Sequence, residues 1–132
     1  LFFEEAVAEQ HLNEDDVFIY MNGETKVDIE RSVEEALRNQ VECIVTMDDR
    51  IGFEVINILK RDGIQIPDQV KLASFYSSDL LESNQPAVTA LQYDPKELGV
   101  VACRTLFDMM NARQVDEKVL LSYEVALRGS TQ

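Results

Sequence analysis

The chain has 132 residues, is 45% hydrophobic, and sets 12 Lys and Arg against 25 Asp and Glu, a formal net charge of −13. That is enough apolar material for the core of one ordinary domain and too much for a disordered chain. The negative surface repels nucleic-acid phosphates and anionic lipid, which excludes both as direct partners of these residues.

In chain order, the opening LFFEEAVAEQHL reads as a helix over residues 2–12 that is already under way at Leu1. No Met and no basic start or cleavage signal precedes it, so it is not a signal peptide, and the expectation is a fragment of something longer. His11 is the only histidine, and without a second His or a Cys beside it a zinc site has no support. Val17 to Tyr20 is a short β-rich run bounded by polar residues and predicts a strand. MNGET is a loop. Ile29, Val33, Ala36 and Leu37 then recur at helical spacing.

VECIVTM is a second apolar strand, short enough to be buried on both faces as in a parallel sheet. Ile51, Val55, Ile58 and Leu59 mark a third helix, which ends at RDGI, with Gly63 suited to a left-handed cap. IPDQ is a turn, VKLASFY a third strand, SSDLLESNQPA a polar loop and VTALQY a fourth strand. DPKELG opens a helix with agreeing signals: Asp94 as N-cap, Pro95 at N1 and Glu97 at N3. That helix runs to about Asn111, and EKVLLSYEVALRG is a final strand. No apolar run approaches membrane-spanning length. Cys43 and Cys103 lie far apart inside apolar segments and are expected to be buried free thiols rather than a disulfide or a metal site.

Helices alternating with short apolar strands imply an α/β fold, an open parallel sheet with helices on both faces. Ligands in such sheets bind beyond the carboxyl ends of the strands. Three loops fall there: Met21 to Thr25, Asp48–Asp49, and Phe75 to Ser78. Two helices carry more apolar surface than one face needs. Phe53 and Ile56 sit off the main stripe of the third helix, and the late helix bears two stripes, one through Leu98 and Leu106, the other through Phe107 and Met110. They are either buried on two sides or part of a subunit or subdomain interface.

The acidic pair could serve acid–base chemistry or a metal, but neither a histidine nor a glycine-rich phosphate loop accompanies it, so no catalytic role, no metal and no cofactor is expected. A receiver domain fails because the other strand ends lack its second acid and its lysine. Asp49 directly precedes the helical periodicity and reads as its N-cap. Asp48 would then point into the cleft, where it can accept hydrogen bonds from sugar hydroxyls, pair with a cationic ligand, or stand in solvent.

Several motifs together carry a resemblance: Asp48-Asp49 opening a helix, Gly63-Ile64-Gln65-Ile66-Pro67-Asp68, Ser74-Phe75-Tyr76, Pro86-Ala87-Val88-Thr89-Ala90, Leu98-Gly99 and Arg128-Gly129-Ser130-Thr131. In this order and spacing the chain resembles the effector-binding core of the lactose/galactose-repressor family of transcriptional regulators. FYSS with ALQYDPKELG looks most like its maltose-regulator branch. The resemblance implies a truncated, three-layer, periplasmic-binding-protein-like (type I) fold. Residues 1–91 and 123–132 would be the second subdomain and 92–122 the returning strand and helix of the first. The DNA-binding headpiece would be absent from this stretch.

The resemblance further implies a cytoplasmic homodimer that is not an enzyme, takes a small-molecule effector such as a sugar, and reaches operator DNA only through that headpiece. Asp48 holds the place of the family's effector-contacting Asn. Tyr76 holds the place of its ligand-gripping Asp, a departure that exchanges a bidentate carboxylate for an aromatic face with one hydroxyl. Asn22 and Glu24 hold the loop where the family often has an aromatic stacker. The dimer interface would involve Phe53, Ile56, Asn57, Leu80, Leu81 and Asn84. Two alternatives remain: the sugar-binding protein of a transporter, which shares the fold, and a dimerisation module that no longer binds effector.

Overall fold

A computed structural model of the chain describes residues 2–21, 23 and 25–132. The elements in order are α1 (Phe2–Glu9), a 3-10 turn (Glu14–Asp16), α2 (Lys26–Arg38), β1 (Cys43–Thr46), α3 (Asp49–Arg61), β2 (Lys71–Ser74), α4 (Asp79–Glu82), β3 (Thr89–Gln92), α5 (Pro95–Met110) and β4 (Glu124–Ala126). The strands form one sheet in the order β1-β2-β3-β4. β1 pairs with β2 and β2 with β3 in parallel, registering Cys43 with Lys71 and Ala73 with Thr89. β4 runs antiparallel to β3, with Leu91 opposite Val125. The sheet is therefore mixed rather than purely parallel, and its last strand is shorter than the sequence run that announces it.

The core follows the helical and strand periodicities. Ile29 and Val33 of α2 meet Val55, Ile56, Ile58 and Leu59 of α3, and these pack with Val70, Leu72, Leu81 and Val88. α3 is the central element because it presents apolar residues on two sides, toward α2 and toward β1 and β2. Gly52 lies at its closest approach: a Cβ there would come within 3.0 Å of Thr46 Oγ1 and 3.3 Å of Leu81. α3 stops where Gly63 takes a positive φ of 73° and Ile64 N–H donates back to Leu59 O at 2.9 Å, a left-handed termination in which no neighbour lies near a Cβ added at Gly63. Outside this core, Lys26–Glu54, with a half-buried carboxylate, and the more exposed Arg61–Glu30 join α2 to α3 as ion pairs that contribute little.

Three expectations change here. Val17–Tyr20 is neither strand nor helix, because no strand pairs with it among the described residues. The SSDLLESNQPA loop contains the short helix α4. Cys43 and Cys103 are free, as expected, but exposed rather than buried, since β1 is an edge strand and α5 buries none of its residues.

Candidate functional site

Because β1, β2 and β3 run the same way, their carboxyl ends share one edge of the sheet. β1 delivers Met47 and Asp48 there, β2 delivers Phe75 to Ser78, and β3 delivers Tyr93 and Asp94. Asp48 is half-buried, and its carboxylate accepts the Ile51 N–H at 2.7 Å. It is thus the N-cap of α3, with extended backbone (φ −141°), and Asp49 is the first helical residue, where it meets the positive end of the helix dipole. The cap was expected one residue later. Helical periodicity marks the first buried turn, but not which of two adjacent carboxylates swings back to the free amides.

Asp94 caps α5 by accepting Lys96 N–H at 2.8 Å, with Pro95 at the first helical position. The reciprocal capping box lies elsewhere, at Thr25 and Asp28 on α2, where each side chain accepts the other's backbone N–H. Asn22 and Glu24, the other two expected effector residues, lie outside the described residues.

Two adjoining cavities open at this edge. The smaller, about 180 Å³, is lined by Tyr76, Ser77, Ser78, Asp79, Gln92 and Tyr93, among others. The larger, about 500 Å³, shares Gln92 and Tyr93 and adds Asp94, Glu97, Tyr123 and Glu124. The Tyr76 and Tyr93 rings meet edge to face, centroids 5.8 Å apart at 61°. Partial desolvation, and then the neighbouring Tyr76 phenol, push the Tyr93 phenol above its usual value, so it remains a neutral hydrogen-bonding group at neutral pH. Ser78 Oγ is buried without a partner. No lysine or arginine lines either cavity.

Aromatic faces, hydroxyls, an amide and carboxylates suit a polyhydroxyl or cationic ligand and disfavour an anion. Tyr76 lines the smaller cavity, whereas Asp48 lines neither. Among the described residues no group of His, Cys, Asp and Glu could hold a metal.

The loop that carries Tyr76 and Ser78 is held from behind by Arg128. Its guanidinium donates to Val88 O at 2.7 Å and Ser77 Oγ at 3.1 Å, and pairs with Glu82. Next to it, buried Ser130 bridges two strands: Oγ donates to Leu72 O at 2.5 Å and accepts Thr89 N–H at 2.8 Å, while its carbonyl accepts Leu72 N–H at 3.0 Å. Thr89 and Thr131 hydroxyls close the group at 2.6 Å. The Arg-Gly-Ser-Thr motif stood in the sequence only as a mark of resemblance; its spacing gave no sign that it ties strand ends together. Ser78 lies in the expected Phe75 to Ser78 loop, but Tyr93 and Gln92 went unnamed, since a strand end followed by a capped helix does not say that its polar residues face a cleft.

Of the six expected interface residues, Ile56 and Leu81 are fully buried in the core and are not available to a partner. Phe53 is half-buried, and its ring packs against the core. Asn57 and Leu80 are exposed, and half-buried Asn84 accepts Lys60 Nζ at 2.5 Å. Ile56 was misplaced because it sits off the main apolar stripe of a helix that is in fact covered on a second side by α4.

The profile of the periplasmic binding protein-like domain family matches residues 1–131. The arabinose metabolism transcriptional repressor of Geobacillus stearothermophilus is 22% identical over 92 residues, 68% of this chain and 25% of that protein. Among solved structures, a probable maltose operon transcriptional repressor from Staphylococcus aureus superposes with a TM-score of 0.84 at 24% identity, over 98% of this chain and 46% of that one. A transcriptional regulator CelR–cellobiose complex superposes with a TM-score of 0.83 at 18% identity, over 97% of this chain and 40% of that one. The chain therefore spans less than half the length of these solved relatives.

Proposed function

The chain belongs to the periplasmic binding protein-like domain family, and from that premise we propose that it is the effector-binding portion of a sugar-responsive transcriptional regulator. Its relatives are regulators of the lactose/galactose-repressor family. One observation carries the ligand class: the cavity at the strand ends offers two tyrosine faces, hydroxyls, an amide and carboxylates, and no cation. Tyr76 and Tyr93 stack against a sugar ring while Ser78, Asp79 and Gln92 take its hydroxyls. Asp48 lies on the same edge and contributes through whatever hydrogen-bonding capacity its capping bond leaves. Relatives named for maltose, arabinose and cellobiose support a mono- or disaccharide, with maltose the first choice given the resemblance to the maltose-regulator branch.

In this reading residues 1–91 and 123–132 form one subdomain, and 92–122 return to another. α5 has no buried residue and exposes Leu98, Leu106, Phe107 and Met110, which fits a helix whose packing partner belongs to that other subdomain. Effector binding biases closure of the two subdomains and so the DNA affinity of a headpiece elsewhere in the protein; by linkage, operator DNA changes effector affinity by the same factor. The regulator works as a cytoplasmic homodimer with Phe53, Asn57, Leu80 and Asn84 at its interface, and has no catalytic step. No helix among the described residues is long and apolar enough to cross a membrane.

The test is a thermal-shift screen of the full-length protein against maltose, cellobiose, arabinose and ribose. A ligand at about a hundredfold its Kd stabilises the native state by about 2.7 kcal/mol. A sugar-specific rise that Tyr76→Ala and Tyr93→Ala each abolish is the expected result. A rise that survives both changes, or a flat screen with DNA binding intact, overturns the sugar site.

A further inference from the structure

We propose that Arg128 is a positioning residue of the effector site: without touching the ligand, its guanidinium fixes the Tyr76–Ser78 wall of the cavity and so sets effector affinity. The inference rests on the sugar reading for its ligand and on the hydrogen bonds around Arg128 for its mechanism. Arg128 lines neither cavity at the strand ends. Its side chain is 12% exposed, and its acceptors belong to different pieces of chain. Nη1 donates to Val88 O, just before β3, while Nη2 divides its two hydrogens between Ser77 Oγ, in the loop after β2, and the Glu82 carboxylate at the end of α4. A planar guanidinium sets these donors along two arms of a fixed fork; the point charge of an ammonium does not.

The bonds on either side show what this group adds. The loop leaves β2 under control: Phe75 N–H donates to Thr46 O at 2.8 Å and Tyr76 N–H to Ser74 Oγ at 3.2 Å. α4 is held to the core without Arg128, since Leu81 is fully buried and its carbonyl accepts Val88 N–H at 3.0 Å. Between these two fixed points stand Ser77 and Ser78. Among the described residues, the Ser77–Arg128 bond is the hydrogen bond that ties this stretch to the β3–β4 side, and Ser78 Oγ has no partner. Tyr76 lies one residue before that tie, where its ring meets Tyr93 edge to face. Arg128 in turn is placed by its own backbone: its N–H donates to Thr89 Oγ1 at 2.8 Å and its carbonyl accepts Thr89 Oγ1 at 3.2 Å.

A binding wall gains affinity when its conformation is set before the ligand arrives, because ordering it then takes nothing from binding. Tyr76 offers an aromatic face, and the value of that face depends on its orientation. Without the Ser77–Arg128 bond the loop between β2 and α4 is free to turn the ring away from Tyr93; with it, the ring stands in place over the cavity. A role confined to holding the fold predicts a different pattern, in which stability falls and the folded protein binds as before.

The experiment compares the full-length protein with its Ser77→Ala, Ser77→Thr and Arg128→Lys variants. Ser77→Ala removes one acceptor and leaves the guanidinium its bonds to Val88 and Glu82, so the buried charge stays paired. One readout is the affinity for maltose and for cellobiose by calorimetry. The other needs no ligand: the rate of Tyr76 nitration by tetranitromethane, mapped by peptide mass spectrometry against added N-acetyltyrosine amide. Ser77→Ala and Arg128→Lys are each expected to weaken sugar binding by about tenfold and to speed Tyr76 nitration by about threefold, and Ser77→Thr, which keeps the oxygen, to restore both. In the Ser77→Ala background, Tyr76→Ala should cost less affinity than in the wild type, because the two act through one wall. The inference is overturned if Tyr76 nitration is unchanged in both variants, or if Ser77→Ala binds sugar normally despite faster nitration. It is also overturned if the faster nitration comes with a lowered urea midpoint in Ser77→Ala, which makes the bond a support of the fold. A wild type that binds neither sugar defeats the sugar reading alone; the nitration rate then decides the role of Arg128, faster in both variants supporting it and unchanged refuting it.

Discussion

Asp48 and Cys43 show how single side chains divide between holding the fold and facing a partner. Asp48→Ala removes the N-cap of α3 and should destabilise the protein by about 1 kcal/mol in urea unfolding. Asp48→Asn, which keeps a capping oxygen, should restore most of that, and sugar affinity measured in both variants separates capping from ligand contact. A loss of affinity in Asp48→Asn at restored stability assigns the carboxylate a ligand role. Cys43 lies on an exposed edge strand, yet its thiol is sheltered, and burial, offset only in part by Lys71, pushes it up from its usual value. The thiolate is the reactive form. Iodoacetamide should therefore label Cys43 more slowly at pH 8 than an unhindered thiol, with a rate still rising above pH 9; a rate that levels off below pH 9 refutes the sheltered thiol.

The elements themselves were legible wherever a period and a cap agreed. Ile29, Val33 and Ala36 of α2 and Val55, Ile58 and Leu59 of α3 are buried as their period implies, while Gly63 marks the end of α3 and Asp94 the start of α5. Composition alone was not enough where structure depends on a neighbour. Val17–Tyr20 reads as a strand but has nothing to pair with, and β4 is three residues long because only Glu124–Ala126 reach β3. The candidate cavity was legible as an edge, from the parallel order, and its β2 side was legible as the Phe75 to Ser78 loop, but its β3 side was not. Tyr93 and Gln92 become cleft residues only once β2 and β3 are adjacent. A capping box also went unread: Thr25 is the N-cap of α2 and Asp28 its third residue. Thr25→Ala should cost about 1 kcal/mol in thermal or denaturant unfolding, and exchange should quicken most in the first turn of α2. If the first-turn amides are unaffected, the box does not close in solution.

At the scale of the whole molecule, a net charge of −13 repels nucleic-acid phosphates, so under the proposed reading operator contact falls to another part of the protein. What this chain supplies is a sheet edge with a polar cavity, a core built around α3, and the exposed apolar surface of α5. One buried hydroxyl adds a tie between β2 and β3 beside their backbone pairing. Ser130 meets Leu72 and Thr89 across sequence separations of 58 and 41 residues. Removing that hydroxyl with Ser130→Ala leaves buried backbone groups short of partners, at a cost of about 1 to 3 kcal/mol.

Contacts between residues so far apart repay the entropy of closing a loop only after most of the chain is in place. The latch therefore forms on the native side of the folding barrier. Stopped-flow chevrons should find the whole penalty of Ser130→Ala in the unfolding limb, with the refolding rate unchanged. Ser130 thus governs how long a folded molecule persists, while the speed with which it is made is left to α2, α3 and the first two strands.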